Sequence, residues 1–229
     1  MKVCTDACLF GAVVARNMQA ASGKTATGID ASTPNMLDIG CGTGLLSLML
    51  AQKTNAVIDA IEISKDAFLQ ARDNILSSPW KNRIQVIHAD VKAYAFTKQY
   101  DLIVSNPPFY EHHLRSPEEE KNLARHDESL TYKYLIHIIY RILSPDGWFA
   151  VLIPYHQSDG VIQLAKNAGL FLHHHISVKS TPKHHYFRSI CQFSIKQPCQ
   201  VTEEELIVKK EDSYTEEFSV LLNDYYLNL

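Results

Sequence analysis

The sequence predicts an α/β fold, a doubly wound sheet that is mostly parallel and ends in an antiparallel C-terminal hairpin. Three observations carry this reading. From Asn35 to Ile153, short apolar and β-branched runs alternate with segments whose apolar residues recur every three or four positions, the signature of strands connected through helices. The strand runs are apolar throughout, as expected of parallel strands covered on both faces. Beyond Pro154 two longer strand-like runs, Leu170 to Val178 and Tyr186 to Ile195, flank a basic turn, which predicts an antiparallel pair.

Taken in order, Thr5 or Asp6 to about Arg16 suits a short amphipathic helix through Ala7, Leu9, Phe10, Val13 and Val14, opened by a side-chain cap. Residues 20–34, rich in Ala, Ser, Gly and Thr and closed by Pro34, read as a loop. Met36 to Ile39 is a short strand, Gly44 to Gln52 a helix, Ala56 to Ile61 a strand and Ser64 to Leu76 a serine-capped helix. Ile84 to His88 and Tyr100 to Ser105 are strands, Leu130 to Leu143 a helix, and Trp148 to Ile153 a strand after the turn Ser144-Pro145-Asp146-Gly147. Ser158 to Ala168 is helical and stops at Gly169. Glu205 to Val208 is expected to add an edge strand and Tyr214 to Tyr226 a terminal amphipathic helix. No internal repeat marks a second unit, and 229 residues suit a single domain spanning 1–229.

Composition narrows the function classes. No apolar stretch reaches the ~18 residues that would cross a bilayer and no signal peptide opens the chain, so a cytoplasmic location is expected. Five cysteines, odd in number and without a close CxxC pair, fit reduced thiols, and Cys4 with Cys8 alone would not hold zinc. A net charge of −3 and a pI near 6.4 argue against a protein that coats nucleic acid without specificity, because such binding rests on phosphate neutralisation. A local basic patch remains available in Lys179, Lys183, His184, His185 and Arg188, interleaved with Tyr186 and Phe187.

Four strand ends carry the chemistry. After the first strand comes Asp38-Ile39-Gly40-Cys41-Gly42-Thr43-Gly44, where alternate glycines let the backbone turn tightly against a ligand. The spacing is G-x-G-x-G rather than the G-x-G-x-x-G of dinucleotide folds, and favours another adenosine cofactor. Glu62 ends the second strand about twenty residues later, where a carboxylate can accept from both ribose hydroxyls. Asp90 follows the third strand, placed to accept from an adenine amine while Val91 offers a backbone N–H. After the fourth strand stands Asn106-Pro107-Pro108-Phe109-Tyr110, a rigid extended loop with one amide and two rings that can grip a flat, nitrogen-bearing ring.

Together these residues resemble the class I, Rossmann-like S-adenosylmethionine-dependent methyltransferases that act on planar exocyclic or amide nitrogens. The resemblance covers nearly the whole chain. It tightens toward the bacterial tRNA adenine-N6 methyltransferases that modify the adenosine beside the anticodon of a valine tRNA, through Met1 to Asp6, Gly44 to Gln52, Ser78-Pro79-Trp80 and Tyr225-Tyr226-Leu227. It implies S-adenosyl-L-methionine as cofactor, with Asp38, Gly40, Cys41, Gly42, Gly44, Glu62, Ile63, Asp90, Val91 and Asn106 around it. It also implies Asn106, Pro107, Pro108 and Phe109 as the catalytic set, the amide oxygen and the Pro107 carbonyl accepting the amine hydrogens while Phe109 stacks on the base. Tyr110, Lys183, His184 and Arg188 are the candidate contacts to an RNA partner, the anticodon loop of valine tRNA. An accessible loop nucleotide is the expected target.

Family members usually carry phenylalanines and basic residues ahead of the Lys-Val-x-Thr-Asp stretch with which this chain opens, so a start truncated relative to the family is expected, impairing tRNA binding more than cofactor binding. The N-P-P-F loop also suits a protein glutamine amide, a ribosomal guanine amine or DNA adenine, and a non-catalytic RNA-binding module could share the fold. No metal is required by this chemistry. His173-His174-His175 lies in a strand, where neighbours point to opposite faces, so the triplet is read as non-metal.

Overall fold

The computed structural model describes residues 5–22, 33–107 and 130–226, without the side chains of 20–22. Its core is an eight-stranded sheet in the order β3-β2-β1-β4-β5-β7-β6-β8. The strands are β1 (Asn35–Ile39), β2 (Val57–Glu62), β3 (Ile84–His88), β4 (Tyr100–Ser105), β5 (Leu143–Pro154), β6 (Phe171–Lys179), β7 (Tyr186–Ser194) and β8 (Thr202–Ile207). Within this sheet only β7 runs against its neighbours. Because β1 lies between β2 and β4, the strand order reverses between β1 and β4, and in open sheets of this kind the ligand crevice lies outside the carboxyl ends at that point.

Helices cover both faces. On one side α1 (Thr5–Ser22), α2 (Leu45–Lys53), α3 (Lys65–Leu76) and a C-terminal helix α6 (Glu216–Leu222) contribute to a core that includes Phe10, Val13, Met49, Ile75 and Phe218. On the other, α4 (Tyr132–Ile142) and α5 (Ser158–Asn167) enclose Leu135, Ile139, Phe149, Val161 and Phe193. Each fully buried Phe or Val contributes about 1.5–3 kcal/mol of hydrophobic stabilisation.

Several elements differ from the sequence expectation. The first helix runs on to Ser22, and it is not a surface amphipathic helix: Leu9, Phe10, Ala12, Val13, Val14 and Ala15 are all buried. It is held between α2, α6 and the sheet, so nearly every side must be apolar. Gly11 lets it close on α2, since a Cβ there would stand 2.8 Å from the Met49 sulfur. The expected turn at 144–147 is instead absorbed into β5, with Leu143 paired to Tyr100 and Ser144 Oγ donating to Asp101 Oδ1 at 3.0 Å. A Cβ on Gly147 would come within 2.9 Å of the Tyr100 carbonyl oxygen, so glycine is required there by close strand approach. The edge strand spans 202–207, followed by the small hairpin β9 (Lys209–Lys210) and β10 (Ser213–Tyr214). The terminal helix is shorter than its apolar pattern: Thr215 caps its start by accepting from Phe218 N at 3.2 Å, and it ends at Leu222 rather than at Tyr226.

Among the described residues no helix is long and apolar enough to cross a membrane.

Candidate active site

The glycine turn is built by three left-handed residues, Gly40 at φ 71°, Gly42 at φ 58° and Gly44 at φ 81°, a region that residues with a Cβ rarely occupy. Gly40 N and Cys41 N both donate to the Ile61 carbonyl, at 2.9 and 3.2 Å, and Gly44 N closes the turn on Cys41 O at 2.9 Å. A Cβ on Gly40 would meet no atom within 4 Å, so the loop there borders open space. A Cβ on Gly44 would instead lie 3.3 Å from Ile75 Cδ1, which makes that glycine a packing requirement between loop and α3. The Cys41 thiol is buried, and desolvation together with the Asp38 and Glu62 charges pushes its pKa far up, leaving it unreactive.

Two buried carboxylates hold this loop. Asp38 is fully buried on β1; its Oδ2 accepts from Ser47 Oγ at 2.7 Å, while Oδ1 has no partner among the described residues. Burial raises its pKa to about 6, against the lowering effect of the Ser47 hydrogen bonds and with a further push from Glu62. An unpartnered buried carboxylate oxygen is costly, and beside an open loop it is suited to a cationic ligand group. Glu62 accepts from Gly42 N through Oε2 at 2.9 Å and from Ser64 N through Oε1 at 2.8 Å. One side chain therefore clamps the glycine turn to the start of α3, with a lone pair still open on each oxygen.

The third strand end completes this wall. Asp90 Oδ1 accepts from Lys92 N at 2.9 Å, Val91 is buried, and Ile63, although apolar, is 62% exposed at the rim. His88 places its Nε2 3.1 Å from the Ile63 carbonyl and stacks on Phe68 with ring centroids 5.1 Å apart.

Across the switch point β4 ends level with β1. Ile39 pairs with Ser105, and Ser105 Oγ donates to Ile39 O at 2.9 Å. Gly40 and Asn106 therefore leave the sheet side by side, Asn106 half-buried and Pro107 buried. Pro108, Phe109 and Tyr110 lie outside the described residues.

The basic patch resolves unequally. Lys183 and His184 are exposed in the β6–β7 turn. Arg188 is half-buried, with Nε donating to Asp6 Oδ2 at 2.9 Å. Lys179 is held 2.6 Å from Glu205, which also accepts from the Tyr186 hydroxyl. The histidine triplet is divided by the strand: His175 Nδ1 lies 3.0 Å from Glu203 Oε2, whereas His174 turns to the α1 side, 3.1 Å from Glu204 Oε1 but not aligned for a hydrogen bond. Burial lowers the His174 pKa.

The residues missed by motif reading are those that position others: Ser47, Ser105 and His88. The Ser64 cap was legible and is present, Oγ accepting from Ala67 N at 3.5 Å, but the other roles depend on which strands become neighbours.

With this geometry in view, the methyltransferase small domain model matches residues 3–130. Proteins described as tRNA1(Val) (adenine(37)-N6)-methyltransferase are 36% identical in Photorhabdus laumondii, over 99% of this chain and 89% of that protein. In Bacteroides fragilis the identity is 37% over 100% of this chain and 92% of the relative, and in Flavobacterium psychrophilum 37% over 100% and 94%. The chain belongs to this methyltransferase family. Solved structures agree on the fold: a predicted O-methyltransferase from Agrobacterium tumefaciens superposes with a TM-score of 0.66 at 17% identity, covering 95% of both chains. The glycopeptide N-methyltransferase MtfA complexed with S-adenosyl-L-methionine gives a TM-score of 0.56 at 12% identity, over 81% of this chain and 94% of that one. The family member described here is accordingly an S-adenosylmethionine-dependent enzyme with a Rossmann-like sheet.

Proposed function

We propose that the chain methylates N6 of an adenosine in tRNA, the one beside the anticodon of a valine tRNA, with S-adenosyl-L-methionine as donor. The observation that carries this is the adjacency of Gly40 and Asn106 at the switch point, in a chain whose full-length relatives carry that activity in their names.

The residues present fit the cofactor. The open space at Gly40 and the exposed Ile63 suit a nucleoside beside the loop, Glu62 a ribose, and the unpartnered oxygen of Asp38 the positive amino-acid end. Val91 N–H and Asp90 are assigned to the adenine edge, and Cys41, Gly42 and Gly44 to the shape of the turn. When bound, S-adenosyl-L-methionine supplies an electrophilic sulfonium methyl.

The chain's own residues then act on the acceptor. An adenine amine is a weak nucleophile because its lone pair is delocalised into the ring. The Asn106 side-chain oxygen and the Pro107 carbonyl each accept one amine hydrogen, which favours a pyramidal nitrogen and stabilises the charge that develops on it. This is positioning and electrostatics, without a covalent intermediate. Asn106 does not titrate in this range, so water takes the released proton. Pro108, Phe109 and Tyr110 are assigned to the rest of the base-gripping loop, and Lys183 and His184 to the RNA backbone.

Incubation with labelled S-adenosyl-L-methionine and unmodified tRNA, followed by nucleoside analysis, tests the reading. N6-methyladenosine beside the valine anticodon is expected. Label in a protein glutamine, in guanine or in DNA, or none at all, would overturn it.

A further inference from the structure

We infer that His88 is a positioning residue for the adenosine half of the cofactor, acting through the Ile63 carbonyl. The inference rests on the cofactor assignment above and adds a residue that no motif includes.

Ile63 is an anomaly on the surface: a β-branched apolar side chain, 62% exposed, at the tip of the β2–α3 turn. Its backbone is held from the neighbouring strand end. Ala89 N donates to the Glu62 carbonyl at 3.1 Å, and His88 Nε2 lies 3.1 Å from the Ile63 carbonyl. A carbonyl can only accept, so His88 Nε2 must carry the proton. The two consecutive carbonyls of Glu62 and Ile63 are thus fixed by two consecutive residues at the end of β3, Ala89 just past it through its backbone and His88 through its side chain.

The imidazole is itself held. It stacks on Phe68 of α3 at 5.1 Å with an interplanar angle of 25°, and Phe68 carries Arg72 over its face at 6.0 Å. His88 therefore joins three elements, the end of β3, the β2–α3 turn and the first turns of α3. The peptide it grips, Ile63–Ser64, is the one whose N–H donates to Glu62 Oε1, the side chain assigned to the ribose, and Ile63 stands exposed at its start. Releasing that carbonyl frees the turn to rotate both side chains while leaving the sheet and Asn106 in place. The effect belongs in cofactor binding rather than in the transfer step.

Three variants separate hydrogen bond from bulk. His88→Phe keeps a ring to stack on Phe68 but has no donor, His88→Gln keeps an N–H donor without the ring, and His88→Ala removes both. Titrations with S-adenosyl-L-homocysteine and with 5′-methylthioadenosine, which lacks the amino-acid end, read the adenosine half directly. For His88→Ala and His88→Phe, both ligands are expected to weaken about tenfold, the equivalent of one net hydrogen bond. KM for S-adenosyl-L-methionine should rise equally while kcat at saturation holds, and His88→Gln should stay near wild type. The inference is overturned if His88→Phe binds both ligands like wild type, or if His88→Gln is as weak as His88→Ala. A Glu62→Ala control keeps the two ideas apart: if that variant binds 5′-methylthioadenosine like wild type, the ribose assignment fails, whatever His88 does.

Discussion

The two halves of the sheet's carboxyl edge are built differently. On the β1–β3 side, polar groups converge inward: backbone N–H groups of the glycine turn and α3 meet Glu62, Ser47 meets Asp38, and one buried carboxylate oxygen is left over. On the β5–β8 side, charges meet each other: Lys179 with Glu205, His175 with Glu203 and Arg188 with Asp6. The first arrangement leaves capacity for a small ligand of fixed shape, and the second pairs several of its cations internally among the described residues. On the proposed reading, cofactor recognition is written into backbone geometry, while acceptor recognition rests on what remains after internal pairing.

The largest effect should come where the halves meet. Replacing Asn106 by Ala removes one of the two proposed acceptors for the amine hydrogens without touching the glycine turn. A fall in kcat of about 10²–10³-fold is expected, larger than any accompanying loss of S-adenosyl-L-homocysteine affinity. Unchanged methyl transfer would separate Asn106 from the chemistry and break the proposed division between binding half and reacting edge.

The next test concerns the leftover oxygen. Asp38 titrates near 3.8 when exposed and at about 6 in the fold, chiefly because burial disfavours its charge. Below pH ~4 both folded and unfolded chains hold the proton. As pH rises through that window the unfolded chain ionises first, so this group's stabilising contribution is lost progressively and is gone once the folded carboxyl has ionised. The difference amounts to roughly 3 kcal/mol at pH 7. Asp38→Asn removes the slope, so the variant should be the more stable protein at pH 7 and bind S-adenosyl-L-homocysteine less tightly. Thermal melts from pH 4 to 8 show this as a wild-type-minus-variant difference; parallel curves would mean that Asp38 is not strained by burial.

These two tests fall on residues that the sequence exposes, and the contrast explains why. Asp38, Gly40, Gly42, Gly44 and Glu62 are legible because turn geometry and strand-end spacing are local properties. The alternation from Asn35 to Ile153 gave the parallel core for the same reason. The all-round burial of α1 was not legible, because its outer covering, α6, comes from the far end of the chain. Nor was the pairing of Arg188 with Asp6, 182 residues apart, or of Lys179 with Glu205 on an adjacent strand. A sequence count of cations near Tyr186 therefore overstates the charge available to RNA, since pairing depends on tertiary contacts that no short window contains.

The smallest effects sharpen that last point. Lys183 is exposed in the β6–β7 turn, whereas the Arg188 side chain is 24% exposed and its partner Asp6 17%. Removing Lys183 should leave the melting temperature unchanged, weaken tRNA binding about fivefold at moderate salt and reduce the slope of log K against log salt by about one, as for the loss of one phosphate contact. Removing Arg188 strands Asp6 in a partly buried position and should cost about 1–2 kcal/mol of stability, with little change in the salt slope. Filter binding across a salt series, run beside thermal melts, reads both quantities. If Arg188→Ala instead flattens the salt dependence while Lys183→Ala does not, the ion pair to Asp6 must open when RNA binds, and the β5–β8 side holds its cations in reserve rather than in permanent use.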